Sequence, residues 1–441
     1  MNRLEDALND MASSGITPMH MPGHKRNPDL IPSYLQNDIT EIPGFDDLHA
    51  PSGIIKDIEH KASSLWNARS AVLSVNGATA PILASIMAAS SKGKVLIASN
   101  CHISVWHALE LAGCTPVSIN PATDPSVPFC LSVDPDSVDR VLTEDPDIKT
   151  FVITSPTYEG VISDIKSIYK ITQAHKAALI VDESHGAHFG LNEMFPETSV
   201  ADVVIKSIHK TLHAPTQTAI LLTYSDTVRE DLIRHYMDVF ESTSPSYILM
   251  SGIDRVVSDL TENNSLTKPW AEALYECRAK LKTELKHIKL FEKDNTDPSK
   301  LVILTGNVIS GSTLAQRLRT EGIETEASFD THLITMTGIG DTKASLELFE
   351  KALLSIDNTL EGSVTSFKGV LPTEAPDIVM SVREAVTSDC VELPKEQCEG
   401  KISACYKFKY PPGIPIIIPG QRITKERLAL VPGDSVKVIR G

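Results

Sequence analysis

From residue 54 onward, short apolar runs alternate with segments of helical periodicity, and this alternation restricts the possible folds more than any other feature. The apolar runs are unbroken, which is typical of strands that are covered on both faces. Strands that alternate with helices pair as parallel neighbours. The predicted strands lie at 71–75, 95–98, 150–154, 178–181, 203–205 and 219–222. The sequence therefore predicts an α/β fold with a large, mainly parallel sheet.

The remainder of the chain divides around this pattern. Residues 1–50 are rich in Pro, Asn, Asp and Gly and read as a loop-rich segment after a short amphipathic helix. Residues 51–265 form the predicted large domain, with helices at 54–66, 80–89, 104–112 and 164–175. Residues 266–441 are predicted to form a helical bridge and a smaller C-terminal α/β domain, because apolar runs recur at 300–304 and 333–336.

An aspartate and a lysine follow two of the predicted strands. Asp182 ends one apolar run, and Lys210 comes shortly after the next. Ligands of parallel sheets bind at the carboxyl ends of the strands. A lysine amine can form a Schiff base with the aldehyde of pyridoxal 5′-phosphate (PLP), and a carboxylate can keep the pyridine nitrogen protonated. The pair therefore predicts a PLP site, although a lone lysine is usually a surface charge and such an aspartate is often a helix cap.

Further polar residues stand where the other parts of PLP would lie. Ser207 and His209 can donate to a phosphate, as can the turn before the second predicted helix through Ala78 and Thr79. The alternative for Ser207 is a plain helix cap. His102 can stack on the cofactor ring, or it can be an ordinary loop histidine. His185 is expected near the imine, and His188 is expected to be structural.

Net charge and composition disfavour several classes of partner and location. The 441 residues have a formal net charge of −16, which disfavours nucleic acid and anionic membranes as partners. No apolar run reaches the roughly 20 residues that span a bilayer. The first residues do not resemble a signal peptide, and the seven cysteines are scattered, as in reduced proteins. We therefore expect a cytoplasmic protein without a metal site.

Eight motifs occur in one order along nearly the whole chain. They are MPGHK at 21–25, PGFDDLH at 43–49, NGAT at 76–79, NCH at 100–102, SPTYEG at 155–160, DESHG at 182–186, SIHK at 207–210 and YPPGIP at 410–415. Together they resemble the bacterial ornithine/lysine/arginine decarboxylase family of PLP fold type I. The similarity is greatest to the short Gram-positive form, which is arginine-decarboxylase-like.

The resemblance implies a role for each matching residue. Lys210 would hold the cofactor, Asp182 would pair with the pyridine nitrogen, and His102 would stack on the ring. His185 would lie near the scissile carboxylate. The phosphate would be bound by the four residues Ala78, Thr79, Ser207 and His209. The family also implies a homodimer or higher homo-oligomer with active sites at the interface.

Three positions depart from the family pattern. Ala78 replaces a hydroxyl residue of the phosphate turn, and the stacking histidine is followed by Ile103-Ser104 where a lysine and a serine are common, so Ile103 stands in place of the lysine. Gln421 follows a Pro-Gly pair where a glutamate is usual, and a neutral amide cannot form an ion pair with a basic substrate. Gln421 and His24 are the predicted substrate-binding residues.

The predicted function is α-decarboxylation of a basic L-amino acid to the amine and CO₂. Arginine is favoured, and lysine and ornithine stay open. One alternative is another PLP reaction on the same fold, such as transamination or a lyase step. The other is a catalytically impaired PLP-binding homologue, which the changes at Ala78 and Gln421 suggest.

Overall fold

The computed structural model describes residues 3–90, 93–365, 367, 375–409 and 413–440. Within these residues, the strands of the large sheet are β1 (Ser70–Ser74), β2 (Lys94–Ala98), β3 (Thr115–Ile119), β4 (Ile148–Thr154), β5 (Ala178–Asp182), β6 (Val203–Lys206) and β7 (Ala219–Thr223). Their spatial order is β1-β7-β6-β5-β4-β2-β3. Among these strands β7 runs opposite to the other six, and the pairings that do not involve β7 are parallel. The structure therefore confirms the α/β fold class with a mainly parallel sheet.

Helices cover both faces of this sheet and continue through the rest of the chain. The described helices are α1 (Leu4–Ser13), α2 (Ile54–Leu65), α3 (Thr79–Ala89), α4 (Ile103–Ala112), α5 (Pro135–Glu144), α6 (Ile165–Ala174), α7 (Ile208–Thr211), α8 (Glu230–Phe240), α9 (Tyr247–Glu262), α10 (Lys268–Glu284), α11 (Gly311–Thr320), α12 (Lys343–Asp357), α13 (Val382–Thr387) and α14 (Lys425–Leu430). Short 3₁₀ turns occur at Ser33–Leu35 and Lys395–Gln397.

The unbroken apolar runs have the structural consequence that the sequence predicts. In β5, Leu179 and Val181 belong to one hydrophobic cluster, and Ile180 between them belongs to the cluster on the opposite face. Both faces are therefore buried. The prediction missed β3, an edge strand that contains Pro116 and is only partly buried. Proline is tolerated at such an edge because fewer backbone donors are needed there.

A second, smaller sheet follows the helical region. Its strands are β8 (Lys289–Leu290), β9 (Lys300–Leu304), β10 (Ala327–Ser328) and β11 (His332–Met336), and their order is β10-β11-β9-β8. Every pairing in this sheet is antiparallel. The C-terminal part adds two two-stranded sheets, β12 (Cys390–Pro394) with β15 (Ser435–Ile439) and β13 (Lys407–Lys409) with β14 (Ile414–Ile417). None of these is a central strand, as the prolines predict.

The N-terminal segment lies over the large domain without a sheet of its own. Its helix α1 packs against α9, where Leu4 and Leu8 are buried in the same core cluster as Ile253. Beyond α1, several large apolar side chains stay exposed; they are Ile16, Met19, Met21, Leu30 and Tyr34. Tyr410, Pro411 and Pro412 of the YPPGIP motif lie outside the described residues.

Candidate active site

A cavity of about 620 Å³ opens at the carboxyl ends of the strands of the large sheet. Eight of the predicted site residues line it; they are Ala78, Thr79, His102, Asp182, His185, Ser207, His209 and Lys210. These residues come from four separate strand ends, which the parallel arrangement brings to one edge. The two predicted substrate-binding residues, Gln421 and His24, are not among the lining residues.

Asp182 is the last residue of β5 and is almost fully buried. Its register partner on β4 is Thr154, so the two side chains reach the same edge. Ser184 donates its hydroxyl and its backbone N–H to Asp182 Oδ1. These two hydrogen bonds fix the orientation of the carboxyl group. An ionised, buried carboxylate in this position can pair with a protonated ring nitrogen.

Lys210 lies in the single turn of α7, directly after β6. Its side chain is partly buried, and burial lowers the pKa of the amine, while Asp182 and Glu326 act in the opposite direction. A lowered pKa increases the fraction of neutral amine, which is the nucleophilic form. Lys210 Nζ lies 3.0 Å from His185 Nε2.

His185 lies between two lysines. Its second ring nitrogen, Nδ1, is 2.9 Å from Lys300 Nζ. Burial, followed by the positive charges of Lys210 and Lys300, holds the pKa of His185 well below its ordinary value. The ring also meets Tyr158 edge to face, with 5.4 Å between the centroids. His185 is therefore a neutral imidazole that is fixed on three sides.

Lys300 begins β9 of the smaller sheet and is 2% exposed. Burial lowers the pKa of Lys300 to about 7, and the nearby Asp297 carboxylate opposes this change. The stem of Lys300 passes over Gly160, whose missing side chain leaves the space; a Cβ there would lie 2.8 Å from Lys300 Cγ. The smaller sheet thus contributes a second buried lysine to the site.

His188 joins these two parts of the chain. Its Nδ1 lies 3.2 Å from the Thr211 hydroxyl, next to Lys210, and its Nε2 lies 3.0 Å from Asp297. The ring is fully buried against Phe189, Phe195 and Trp270. The structural role predicted for His188 agrees with these contacts.

The part of the cavity next to the N-terminus of α3 can accept an anion. The N-terminus of α3, with Ala78 as its N-cap and Thr79 as its first residue, lines the cavity. Helix N-termini favour negative charge. Ser207 is the N-cap of α7, but its side chain makes no capping hydrogen bond. The hydroxyl is therefore available to a ligand, although Ser207 occupies the cap position that the simpler interpretation predicts.

His209 requires a refinement of the predicted phosphate contact. Its Nδ1 lies 2.9 Å from the carbonyl oxygen of Thr218, so Nδ1 must donate. The Nε2 atom of a neutral imidazole then has only a lone pair. Burial lowers the pKa of His209, but a phosphate dianion would raise it again. His209 can donate to a phosphate only as the imidazolium.

His102 is fixed by the start of α4. Its Nδ1 accepts a hydrogen bond from the Ser104 backbone at 3.2 Å and lies 2.8 Å from the Ser104 hydroxyl. Burial lowers the pKa of His102. Ser104 therefore orients the imidazole. A neutral ring held this way suits stacking on a flat cofactor.

Gln421 and His24 occupy other surroundings. The Gln421 side chain is fully buried, and its Oε1 accepts a hydrogen bond from the Ile418 N–H of its own turn at 3.2 Å. His24 accepts from the Arg26 N–H and lies 3.5 Å from Asp38, in the N-terminal segment. Within this chain, neither residue reaches the cavity, and their contact with a substrate stays a prediction.

Sequence reasoning assigned no role to three residues that the fold brings to the site. These residues are Lys300, Tyr158 and Glu326. Lys300 contacts His185, and the Tyr158 hydroxyl donates to Glu326 Oε1 at 2.8 Å. Tyr158 stands in the SPTYEG motif, and Lys300 is a lysine at the first position of an apolar run. Glu326 offers no signal in the sequence, because only the sheet pairing brings it to the cavity.

The chemistry of the lining residues fits PLP. An amine, a buried carboxylate and an anion-binding helix end converge on a cavity that is large enough for a small cofactor. Two buried polar atoms that line this cavity, Asn100 Oδ1 and Thr154 Oγ1, have no hydrogen-bond partner within the protein. Such atoms are usually satisfied by a ligand or by water.

Family models match most of the chain. The model described as Orn/Lys/Arg decarboxylase, major domain, matches residues 4–301, and the one described as Orn/Lys/Arg decarboxylase, C-terminal domain, matches residues 365–431. The chain belongs to the Orn/Lys/Arg decarboxylase family. It is therefore an enzyme of the decarboxylase class that acts on basic amino acids, and the resemblance in the motifs is confirmed.

Curated relatives and solved structures agree with this assignment. Arginine decarboxylase from Bacillus subtilis is 30% identical, over 97% of this chain and 92% of the relative. Arginine decarboxylase from Halalkalibacterium halodurans is 29% identical, over 93% of this chain and 89% of the relative. The lysine decarboxylase structure from Francisella novicida superposes with a TM-score of 0.84 at 17% identity, covering 99% of this chain and 81% of that one. The fold is PLP fold type I.

Two features are absent from the described part of the chain. No helix there is both long enough and apolar enough to cross a bilayer. No cluster of three or more His, Cys, Asp or Glu side chains there is arranged to hold a metal ion.

Proposed function

We propose that this enzyme is a PLP-dependent α-decarboxylase of a basic L-amino acid, with arginine as the favoured substrate. One observation above all supports this proposal: Lys210, Asp182, His185 and the N-terminus of α3 line one cavity. Lys210 would hold the cofactor aldehyde, Asp182 its ring nitrogen, and His102 one face of the ring. Ala78, Thr79, Ser207 and His209 would hold the phosphate.

When PLP is bound, its ring accepts the electron pair that the departing CO₂ leaves behind. The protein supplies the remaining parts of the reaction. Asp182 keeps a positive charge at the far end of the ring, which favours electron withdrawal. The neutral Lys210 amine can exchange with the substrate amine and return at the end of the cycle.

One proton must reach the α-carbon in every turnover, in place of the CO₂. Lys210 Nζ and His185 Nε2 are the candidate donors, and they lie 3.0 Å apart. His185 has a depressed pKa, so it does not hold a permanent proton; it can pass on one that it receives. Partial burial of the cavity would limit protonation by solvent at the wrong atom.

Two observations support arginine. The relatives named above as arginine decarboxylases are 29–30% identical over most of the chain, whereas a lysine decarboxylase from Hafnia alvei is 21% identical. Two acids line the described cavity, Asp182 and Glu326. Because Asp182 is assigned to the cofactor, we propose that Glu326 faces the cationic group of the substrate. A guanidinium can bind a carboxylate through two parallel hydrogen bonds.

The test of the reaction is a substrate panel. Purified enzyme loaded with PLP is incubated with arginine, lysine and ornithine, and both CO₂ and the product amine are measured. We expect agmatine from arginine as the main product. A 2-oxo acid product would favour a transaminase, and an absence of product from all three would favour a catalytically impaired homologue.

The role of Glu326 is tested by Glu326→Gln. The amide keeps a hydrogen-bond acceptor for Tyr158 but removes the charge. We expect KM for arginine to rise about tenfold, which corresponds to about 1.4 kcal/mol, with a smaller change in kcat. The matched control is Glu276→Gln, because Glu276 is exposed and pairs with Lys343. An unchanged KM would remove Glu326 from the substrate site.

We also propose a homodimer and a cytoplasmic location. The exposed apolar side chains of the N-terminal segment support the dimer, since Met19 alone is 88% exposed. A protein–protein interface is one place where large exposed apolar side chains become buried. Sedimentation of the purified enzyme tests the oligomeric state, and a monomer at micromolar concentration would contradict it.

A further inference from the structure

Two lysines contact the two nitrogens of one imidazole. Lys210 Nζ lies 3.0 Å from His185 Nε2, and Lys300 Nζ lies 2.9 Å from His185 Nδ1. Both separations are hydrogen-bond distances. Lys210 comes from the large sheet and Lys300 from the smaller one, so the imidazole joins the two parts of the chain.

The number of protons in this row is limited by the imidazole. A neutral imidazole has one N–H donor and one lone pair, and an ammonium group can only donate. The nitrogen with the lone pair can accept a hydrogen bond from the lysine that it faces, whether that lysine is an ammonium group or a neutral amine. The nitrogen with the proton must donate to a lysine that has a lone pair of its own. The row Lys300–His185–Lys210 is therefore fully hydrogen-bonded only when at least one lysine is a neutral amine.

The charged groups around the row favour the same state. Burial, together with the positive charge of Lys210, lowers the pKa of Lys300 to about 7, against the opposing effects of Asp297, Glu326 and Glu159. For His185, burial and the two lysines lower the pKa, and His102 and His209 contribute in the same direction. Two ammonium groups across a buried neutral ring would repel each other with little screening by solvent.

We propose that Lys300 is a positioning residue that shares one proton with Lys210 through His185, so that the two amines are not protonated together. The proposal rests on the proposed function for its use in turnover, whereas the sharing itself is a property of the protein without cofactor. When Lys300 holds the proton, His185 presents Nε2–H and the Lys210 amine is neutral.

The transfer between the two states is balanced. A Lys300 Nζ–H bond breaks and a His185 Nδ1–H bond forms. The His185 Nε2–H bond breaks and a Lys210 Nζ–H bond forms. No oxidant or further reactant is needed, and the ring returns to neutrality as the other tautomer. In turnover, this path would supply the proton that the α-carbon takes up.

The test is an NMR titration of the cofactor-free protein with ¹³Cε-labelled lysine. Lys300→Met and Lys210→Met assign the two resonances and also remove one partner each. We expect Lys300→Met to raise the midpoint of Lys210 by about one pH unit, a tenfold change in proton affinity. Lys210→Met should raise the midpoint of Lys300 by the same amount, because coupling between two binding sites is reciprocal.

The part that passes through His185 is isolated in a second background. His185→Phe keeps a ring against Tyr158 but has no ring nitrogen; His185→Leu serves if the first variant does not fold. In this background, removing one lysine should shift the midpoint of the other by less than half of the shift seen when His185 is present. Independent titration of the two lysines in the wild type, or unchanged coupling without His185, would overturn the proposal.

Two further variants separate proton sharing from simple packing. Lys300→Gln can hydrogen-bond to Nδ1 but does not titrate, so the Lys210 midpoint should shift as it does in Lys300→Met. Lys343→Met, at an exposed lysine paired with Glu276, should shift neither midpoint. Because these titrations need neither PLP nor substrate, their failure is distinct from a failure to decarboxylate arginine.

Discussion

Two regions of the molecule each contribute a lysine to the same imidazole, but by different routes. The strand-end region, residues 182–210, contains Asp182, His185 and Lys210 within one stretch of sequence and at adjacent strand ends. The small-sheet region, residues 289–336, contributes Lys300 from the start of β9 and Glu326 from the residue before β10. Both regions line the cavity, the first through Asp182, His185 and Lys210 and the second through Glu326 and Met336.

The difference shows that site residues close together in sequence can be predicted from it, whereas residues that meet only through folding cannot. Residues at neighbouring strand ends of a parallel sheet meet because the sheet itself aligns them. Lys300 contacts His185 from a distant part of the chain, where His188 binds Asp297 and Gly160 leaves room for the Lys300 stem. The sequence of the strand-end region therefore predicts the cofactor-binding residues directly. In the proposal above, the small-sheet region adjusts the protonation of His185 and Lys210.

The largest expected effect separates the two lysines by activity. Lys210→Ala should lower kcat for arginine by about 10³-fold or more, because it removes both the covalent attachment and a candidate proton donor. Lys300→Met should lower kcat by only about 10- to 100-fold, since it acts through His185. CO₂ release from both variants at matched PLP content is the measurement. Equal losses would break the distinction between the two regions.

A smaller effect concerns stability against pH. Because burial lowers the pKa of Lys300 from 10.5 to about 7, the unfolded chain binds more protons than the folded one over this interval. Between pH 7 and 10, the wild type should therefore gain stability relative to Lys300→Met by up to about 1.4 kcal/mol per pH unit. Urea unfolding of both proteins at several pH values tests this.

The exposed lysine variant Lys343→Met gives the baseline for that comparison, because its pKa is raised by Glu276 instead of lowered. Its stability should run nearly parallel to that of the wild type over the same interval. Parallel curves for the wild type and Lys300→Met would show that Lys300 has an ordinary lysine pKa in the folded protein.

The smallest effect concerns the space above Gly160. Gly160→Ala places a Cβ 2.8 Å from Lys300 Cγ at a φ of +87°, so we expect a loss of about 2 kcal/mol in the free energy of unfolding. Gly362→Ala is the matched control, with a φ of +82° but no atom within 4 Å of the added Cβ. It should cost about 1 kcal/mol or less. Equal losses at the two positions would mean that Lys300 moves aside freely.

Much of the large domain was predictable because its signals are local. The unbroken apolar runs gave six of the strands of the large sheet nearly to their ends, and β3 was missed because Pro116 interrupts its pattern. The eight cavity residues were found because each follows a strand or opens a helix. The extent of the domains, 51–265 and 266–441, stays a prediction, although both main sheets fall within these limits.

The sequence by itself determined the fold class, the family and the strand-end residues Asp182 and Lys210, since strand patterns and strand-end motifs depend on neighbours along the chain. Only the tertiary structure decided that Glu326 lines the cavity, that Lys300 contacts His185 and that Gln421 is turned into its own loop. It also decided which ring nitrogen donates in His102 and in His209. Protonation and hydrogen-bond direction depend on burial and on partners that are distant in sequence, so they become visible only after the chain has folded.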